Sequence, residues 1–310
     1  MSGEAILVIR LGALGDFVLS SGPFQAIRAF HPDAHIVLLT TAPYEELARA
    51  GGWFDEIWLD ERPAWWQLAA MRNLRTRLRG GGFSRVYDLQ TSDRSSGYFR
   101  LFGRPRPEWS GIARGCSHPH ANPARDRLHT VERQADQLHM AGIADVPAPD
   151  LSGIAADLSE FSLPEAYSLL VPGSAPHRPE KRWSATRYGE LAGRLRARGH
   201  TPVLVGGPAE QAELAKVAAA QRGTINLCGR TSFAQIAALG RGARLAVGND
   251  TGPMHLIATA GCPSLVLFSG ASDPALTAPR GALVQVLQRH DLADLSVDEV
   301  AHAAQRLLPH

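Results

Sequence analysis

Short, mainly apolar runs, each halted by a glycine or a polar turn and followed by a helical pattern, recur along this chain. Ala5–Ile9 is the first, and comparable runs stand at His35–Leu39, Ser168–Val171, Pro202–Val205, Ala243–Val247 and Ser264–Phe268. A run of about five residues with no polar face suits a parallel strand covered on both sides. Weaker strand signals fall at Glu56–Leu59, Arg85–Leu89 and Thr224–Leu227. Helical periodicity fills the intervals at Phe17–Phe30, Trp65–Leu78, Thr130–Ala141, Ala185–Arg198, Ala209–Gln221 and Phe233–Leu239, and a last amphipathic stretch covers Val297–Leu308. Strand–helix alternation of this kind builds parallel sheets with right-handed crossovers.

The alternation pauses once, at Val146-Pro147-Ala148-Pro149-Asp150, which reads as a linker. Two Rossmann-like domains facing a central cleft are therefore expected, over residues 1–150 and 165–310. A length of 310 residues is ample for two such domains.

Composition narrows the classes. Apolar residues make up 45% and charged residues 20%, as in globular proteins. A net charge of +2 gives no global case for nucleic acid. No apolar run approaches the ~20 residues of a membrane span. Met1-Ser2-Gly3-Glu4 has no basic leader, and Ala5–Ile9 is too short for a signal core, so a cytoplasmic location is expected. Cys116, Cys228 and Cys262 are far apart and read as reduced thiols. His118 and His120 flank Pro119 without the Cys or helical His partner that a metal site would need, and no metal is expected.

Polar residues concentrate where strands hand over to helices, the place where open α/β sheets bind ligands. In Gly248-Asn249-Asp250-Thr251-Gly252-Pro253-Met254-His255 a carboxylate, a hydroxyl, a glycine and an imidazole share one turn. A helix beginning near Pro253 would present N–H groups to an anion. Asn, Asp and Thr are also ordinary helix caps, so each residue alone has a purely structural reading. Val171-Pro172-Gly173-Ser174-Ala175, followed by Glu180-Lys181-Arg182-Trp183, places two cations beside a turn with free N–H donors, as a departing diphosphate would require. Lys181 is one of two lysines among 32 basic residues, in a chain that otherwise uses arginine. Glu210, after Gly206-Gly207-Pro208, could start a helix or hold a ribose diol. Phe268-Ser269-Gly270-Ala271-Ser272-Asp273 is a further polar turn.

Arg10-Leu11-Gly12-Ala13-Leu14-Gly15-Asp16 follows the first strand and lacks GxGxxG, which argues against a dehydrogenase. Asp16 is either a helix cap or a general base, and Gly12 and Gly15 would admit a substrate close to the backbone.

Residues 6–30, 171–190, 202–210 and 226–274, and above all the Arg10–Asp16 and Gly248–His255 motifs, resemble glycosyltransferase family nine, the ADP-heptose:lipopolysaccharide heptosyltransferases. The resemblance implies a GT-B fold and inverting transfer of a heptose or related sugar from an ADP-sugar to the lipopolysaccharide inner core or a lipid A precursor. It implies no cofactor and no essential metal, and work at the cytoplasmic face of the inner membrane. Asp16 would be the base. Ser174, Lys181, Glu210, Asp250, Thr251, Gly252 and His255 would hold the donor.

The first half beyond residue 40 matches the family little. Gly15, Arg62 and Arg94 are the candidate acceptor residues; Arg62 and Arg94, like Arg100 and Arg114, could meet acceptor phosphates or carboxylates, or could be solvated charges. Trp65 and Trp66 precede Arg72, Arg75, Arg77 and Arg79, which suits an amphipathic helix on an anionic membrane or half-buried packing of both rings. Rival functions are a nucleotide-sugar epimerase and a non-catalytic nucleotide-sugar-binding protein.

Overall fold

The computed structural model describes residues 3–308. Met1 and Ser2, part of the start read as lacking a basic leader, lie outside the described residues. The chain divides into two compact units, 1–148 and 149–310.

Unit 1 is a six-stranded parallel sheet of β1 (Ala5–Ile9), β2 (His35–Thr40), β3 (Glu56–Leu59), β4 (Arg85–Asp88), β5 (Glu108–Gly111) and β6 (His118–Pro119), in the order β3-β2-β1-β4-β5-β6. Its helices are α1 (Leu14–Leu19), α2 (Ser21–Phe30), α3 (Glu45–Gly51), α4 (Leu68–Gly80), α5 (Asp93–Tyr98) and α6 (Thr130–Met140). β1 lies between β2 and β4, with Ile9 level with Leu39 and Asp88. Chain order reverses at β1 and β4, so a crevice opens at their carboxyl ends. The apolar runs explain the burial: Ile6, Leu7, Val8 and Ile9 are each 0% exposed. One core cluster joins Leu7, Ile9 and Val86 of the sheet to Leu74 and Leu78 of α4 and to Tyr98 and Phe99, so α4 and α5 cover the same face.

Unit 2 repeats the plan with β7 (Tyr167–Val171), β8 (Thr201–Leu204), β9 (Ile225–Asn226), β10 (Leu245–Asn249), β11 (Ser264–Phe268) and β12 (Val284–Gln288), ordered β12-β11-β10-β7-β8-β9 and wholly parallel. The helices are α7 (Ala185–Ala197), α8 (Gln211–Ala220), α9 (Phe233–Gly242), α10 (Gly252–Thr259), α11 (Pro274–Thr277) and α12 (Val297–Leu307). The reversal of order falls between β7 and β10. α12 starts with a reciprocal Ser296–Glu299 cap and packs Val300, Ala304 and Leu307 into the same cluster as Trp183, Leu191 and Leu265.

Several expectations are corrected. The helix expected over Phe17–Phe30 is two, broken at Ser20, whose N–H bonds back to the Asp16 and Phe17 carbonyls. The helix expected from Trp65 begins at Leu68, so both tryptophans precede it. Their fates differ. Trp65 packs edge-on to Tyr98 (6.2 Å between centroids), whereas Trp66 is 82% exposed. β5, β6 and β12 were not anticipated.

Candidate functional site

In unit 2 the loops after β7, β8, β10 and β11 converge at the β7–β10 reversal. Asn249, the last residue of β10 and 0% exposed, organises them. Its Nδ2 donates to the Pro172 and Gly173 carbonyls (2.7 and 3.2 Å). Its Oδ1 accepts from Trp183 N–H (3.1 Å) and Tyr188 O–H (3.0 Å). One amide thus holds the Pro172–Gly173 turn, the start of α7 and the strand end in register.

Asp250 follows. Its Oδ2 accepts from Lys181 Nζ and from Ser272 Oγ, both at 2.6 Å. Lys181 and Asp250 side chains are only 18% and 7% exposed, so the pair is largely shielded from water. Thr251 is the N-cap residue of α10 and Gly252 its first member; Pro253 has no N–H to offer, and the Met254 N–H bonds to the Thr251 carbonyl (3.1 Å). His255 is 5% exposed in the next turn.

Ser174 is 2% exposed, and its hydroxyl donates to the Arg178 carbonyl (2.8 Å) and accepts from Arg182 Nε (2.9 Å). The group expected to meet a donor is thus committed to shaping the loop. Arg178 in turn donates to the Ala271 carbonyl (2.8 Å). Glu210 Oε2 accepts from Gly207 N–H at 2.6 Å. Burial raises its pKa above the ordinary carboxylate value, against the pull of that hydrogen bond and of Arg182. A Cβ at Gly173 would overlap the Glu210 carboxylate, which explains the glycine there. All seven expected donor residues therefore lie on these four loops or the start of α10. Asn249, Arg182 and Ser272 join them, and sequence reasoning had named their segments without assigning them.

Unit 1 carries a second polar centre at the β1–β4 reversal. Arg10 leaves β1 with a 3% exposed side chain, donates from Nη1 to the Leu89 carbonyl (2.5 Å) and places Nη2 3.3 Å from Asp16 Oδ2. Burial lowers the Arg10 pKa despite the nearby Asp16 carboxylate. Asp16 sits in the first turn of α1, 39% exposed. Thr130 Oγ1 donates to its Oδ1 at 3.4 Å. Gly12 adopts φ +127°, where a side chain would be strained and would strike the Tyr44 ring. Gly15 lies in the first turn of α1 beside Asp16.

Arg62 donates through Nη2 to the Leu11 carbonyl (2.5 Å), which brings it to the Asp16 loop. Arg94 donates to the Pro63 carbonyl (3.0 Å) and faces Trp65, one step further away. Both bond backbone carbonyls in place of a carboxylate partner. Asp88 ends β4 with no exposure, and burial pushes its pKa up to about 7. His120 Nε2 donates to Asp136 Oδ2 (2.8 Å), and burial lowers the His120 pKa despite that carboxylate. Among the described residues no three His, Cys, Asp or Glu side chains are placed to hold a metal ion, and no helix is long and apolar enough to cross a membrane.

Comparison with known proteins adds three findings. The sequence pattern of glycosyltransferase family 9 (heptosyltransferase) matches residues 71–301. Lipopolysaccharide heptosyltransferase 2 of Escherichia coli (strain K12) is 28% identical over 309 residues, covering 91% of this chain and 87% of the relative. Among solved structures, a family 9 glycosyl transferase from Veillonella parvula superposes with a TM-score of 0.85 at 22% identity, covering 99% and 98% of the two chains. E. coli heptosyltransferase WaaC with ADP gives 0.78 at 19% identity, covering 98% and 99%. These likenesses show the fold, the α/β GT-B class with two parallel-sheet units.

Proposed function

The chain belongs to glycosyltransferase family 9, and on that premise we propose that it transfers a heptosyl group from ADP-heptose to a hydroxyl of the lipopolysaccharide inner core, with inversion. The enzyme class follows from the family. Donor, acceptor and stereochemistry are this reading's own.

The observation that carries the chemistry is the setting of Asp16. A half-exposed carboxylate stands at the carboxyl end of the first strand, steadied by Arg10 and Thr130. In the proposed step Asp16 takes the acceptor hydroxyl proton as that oxygen bonds to the anomeric carbon. The bond from that carbon to the diphosphate oxygen breaks, and its electron pair leaves with ADP. Attack opposite the leaving group gives inversion.

Unit 2 would meet the departing charge. An ammonium has three N–H donors, and the Lys181–Asp250 pair uses one, leaving donors for phosphate oxygens. The N-terminus of α10 and Arg182 add positive potential, so the reading requires no metal. Glu210, among glycines, would accept from the ribose hydroxyls. The WaaC structure with ADP supports an adenine nucleotide. The acceptor would be bound through unit 1, with Gly15, Arg62 and Arg94 around the Asp16 loop, at the cytoplasmic side of the inner membrane.

Asp16→Asn tests the base. Transfer from ADP-heptose to purified inner core should fall roughly 10²–10⁴-fold with ADP affinity unchanged. Near-normal turnover in a folded variant would remove Asp16 from the role. Calorimetry with ADP, UDP and GDP tests the donor, and binding of UDP without ADP would sink the ADP-heptose assignment.

A further inference from the structure

Residues 62–107 hold ten arginines, two aspartates and neither lysine nor glutamate. This stretch carries +8 in a chain that totals +2, so the remainder stands at −6. Folding draws much of that charge onto one surface. Leu68, Arg72, Arg75 and Arg79 recur at i, i+4, i+7 and i+11 along α4 and are all exposed, while Met71, Leu74 and Leu78 form its buried side. Arg79 Nε donates to the Leu101 carbonyl (2.9 Å), which joins this stripe to the segment bearing exposed Arg100, Arg104 and Arg106. Beside it lies a cavity of about 540 Å³ walled by Trp65, Phe99, Arg100, Leu101 and Arg114.

The same surface is apolar at one end. Trp53, Trp58, Trp109 and Trp183 are all under 9% exposed, yet Trp66 is 82% and Leu68 64% exposed. A tryptophan left in water forgoes a large burial area, and its amphipathic ring suits the headgroup level of a bilayer. Arginines flanking such anchors match anionic headgroups.

We propose that this surface of unit 1 docks on an anionic lipid bilayer, Trp66 and Leu68 entering the interfacial layer and Arg72, Arg75, Arg79 and Arg100 meeting lipid phosphates. Leu68 and the bare indole favour lipid over nucleic acid, which would be held by the arginines alone or by stacked aromatics. The proposal deepens the reading above by naming where a lipid-borne acceptor is approached, but it is measured without donor or acceptor and so stands or falls apart from transfer.

The test is co-sedimentation of the full chain with phosphatidylcholine vesicles, with and without about one-third phosphatidylglycerol. Binding is expected only with the anionic lipid and should weaken steeply as salt shortens the screening length. Trp66→Ser/Leu68→Ser and Arg72→Ser/Arg75→Ser should each weaken it at least tenfold. All four positions are exposed, and an unchanged circular dichroism spectrum and urea-unfolding midpoint would show each variant folded. Three results would overturn the proposal: no binding to anionic vesicles, equal binding by folded variants, or single-stranded RNA competing while Trp66→Ser/Leu68→Ser binds as the parent does.

Discussion

Lys181 and Asp250 share a hydrogen bond of 2.6 Å with little exposure, so either residue alone leaves a shielded charge without its partner. Structural and ligand-binding roles can be separated by treating them as a pair. Lys181→Met should cost about 3 kcal/mol in urea unfolding, at the lower end for breaking a buried pair because Lys181 is the more exposed member. Adding Asp250→Asn should recover stability to within roughly 1 kcal/mol, since the orphaned charge is gone. ADP affinity should stay low in the double variant, and its return would assign Lys181 to the fold alone. Asp88 gives a pH prediction of opposite sign to the usual salt-bridged aspartate. Burial raises its pKa to about 7 in the fold from a reference of 3.8, so between these values the folded chain holds a proton that the unfolded chain has released. The Asp88 contribution to stability should therefore be full below pH ~4, decline through the window up to pH ~7 by on the order of 4 kcal/mol, and stay flat above it. Asp88→Asn should lose that slope in urea titrations at pH 5 and pH 8. An Asp88→Asn variant whose stability follows the same pH dependence as the wild type would contradict the buried neutral form.

At the scale of elements, the joint between β10, α7 and the Pro172–Gly173 turn depends on one buried amide. Asn249→Ala would remove the amide that two carbonyls and the Trp183 N–H bond and leave the Tyr188 hydroxyl only its long contact to the Val171 carbonyl, and should cost about 3 kcal/mol while loosening residues 172–183. Hydrogen exchange should quicken first in that loop, and uniform acceleration across the sheet would point to general destabilisation. This joint also marks where sequence reading stops. The central strands were legible because Ala5–Ile9 is an unbroken apolar run and Ser264–Phe268 nearly so, and both match their observed bounds. β5 and β12 were not: Glu-Trp-Ser-Gly is largely buried but holds a single large apolar residue, and Val-Gln-Val-Leu-Gln lies at the sheet margin, where half-burial leaves a mixed pattern. The polar turns could be found because they interrupt apolar runs locally. The work of Asn249 could not, since its partners lie 61 to 77 residues away and only the fold brings them to it. Ser174 shows the same limit from the other side: its place in a turn was readable, but the direction of its hydroxyl depends on Arg182, eight residues on.

For the whole molecule, the division at residue 148 matters because each unit has its own sheet, its own strand-order reversal and its own core. Every residue assigned to the donor, from Ser174 to His255, lies in unit 2. The core beneath them is built from that unit alone and closed by α12, which packs on α7, β10 and β11. Nothing in the assigned donor contacts calls on unit 1, so nucleotide affinity should survive separation even though transfer cannot. Residues 149–310 produced alone should fold cooperatively and bind ADP within about threefold of the full chain, a difference below ~0.7 kcal/mol. Residues 1–148 should bind none. The comparison is calorimetric, with ADP stabilising the fragment against heat as a ligand of the native state must. A folded 149–310 fragment that fails to bind ADP, beside a full chain that binds it, would show that unit 1 supplies part of the nucleotide site and would return the donor assignment to both halves.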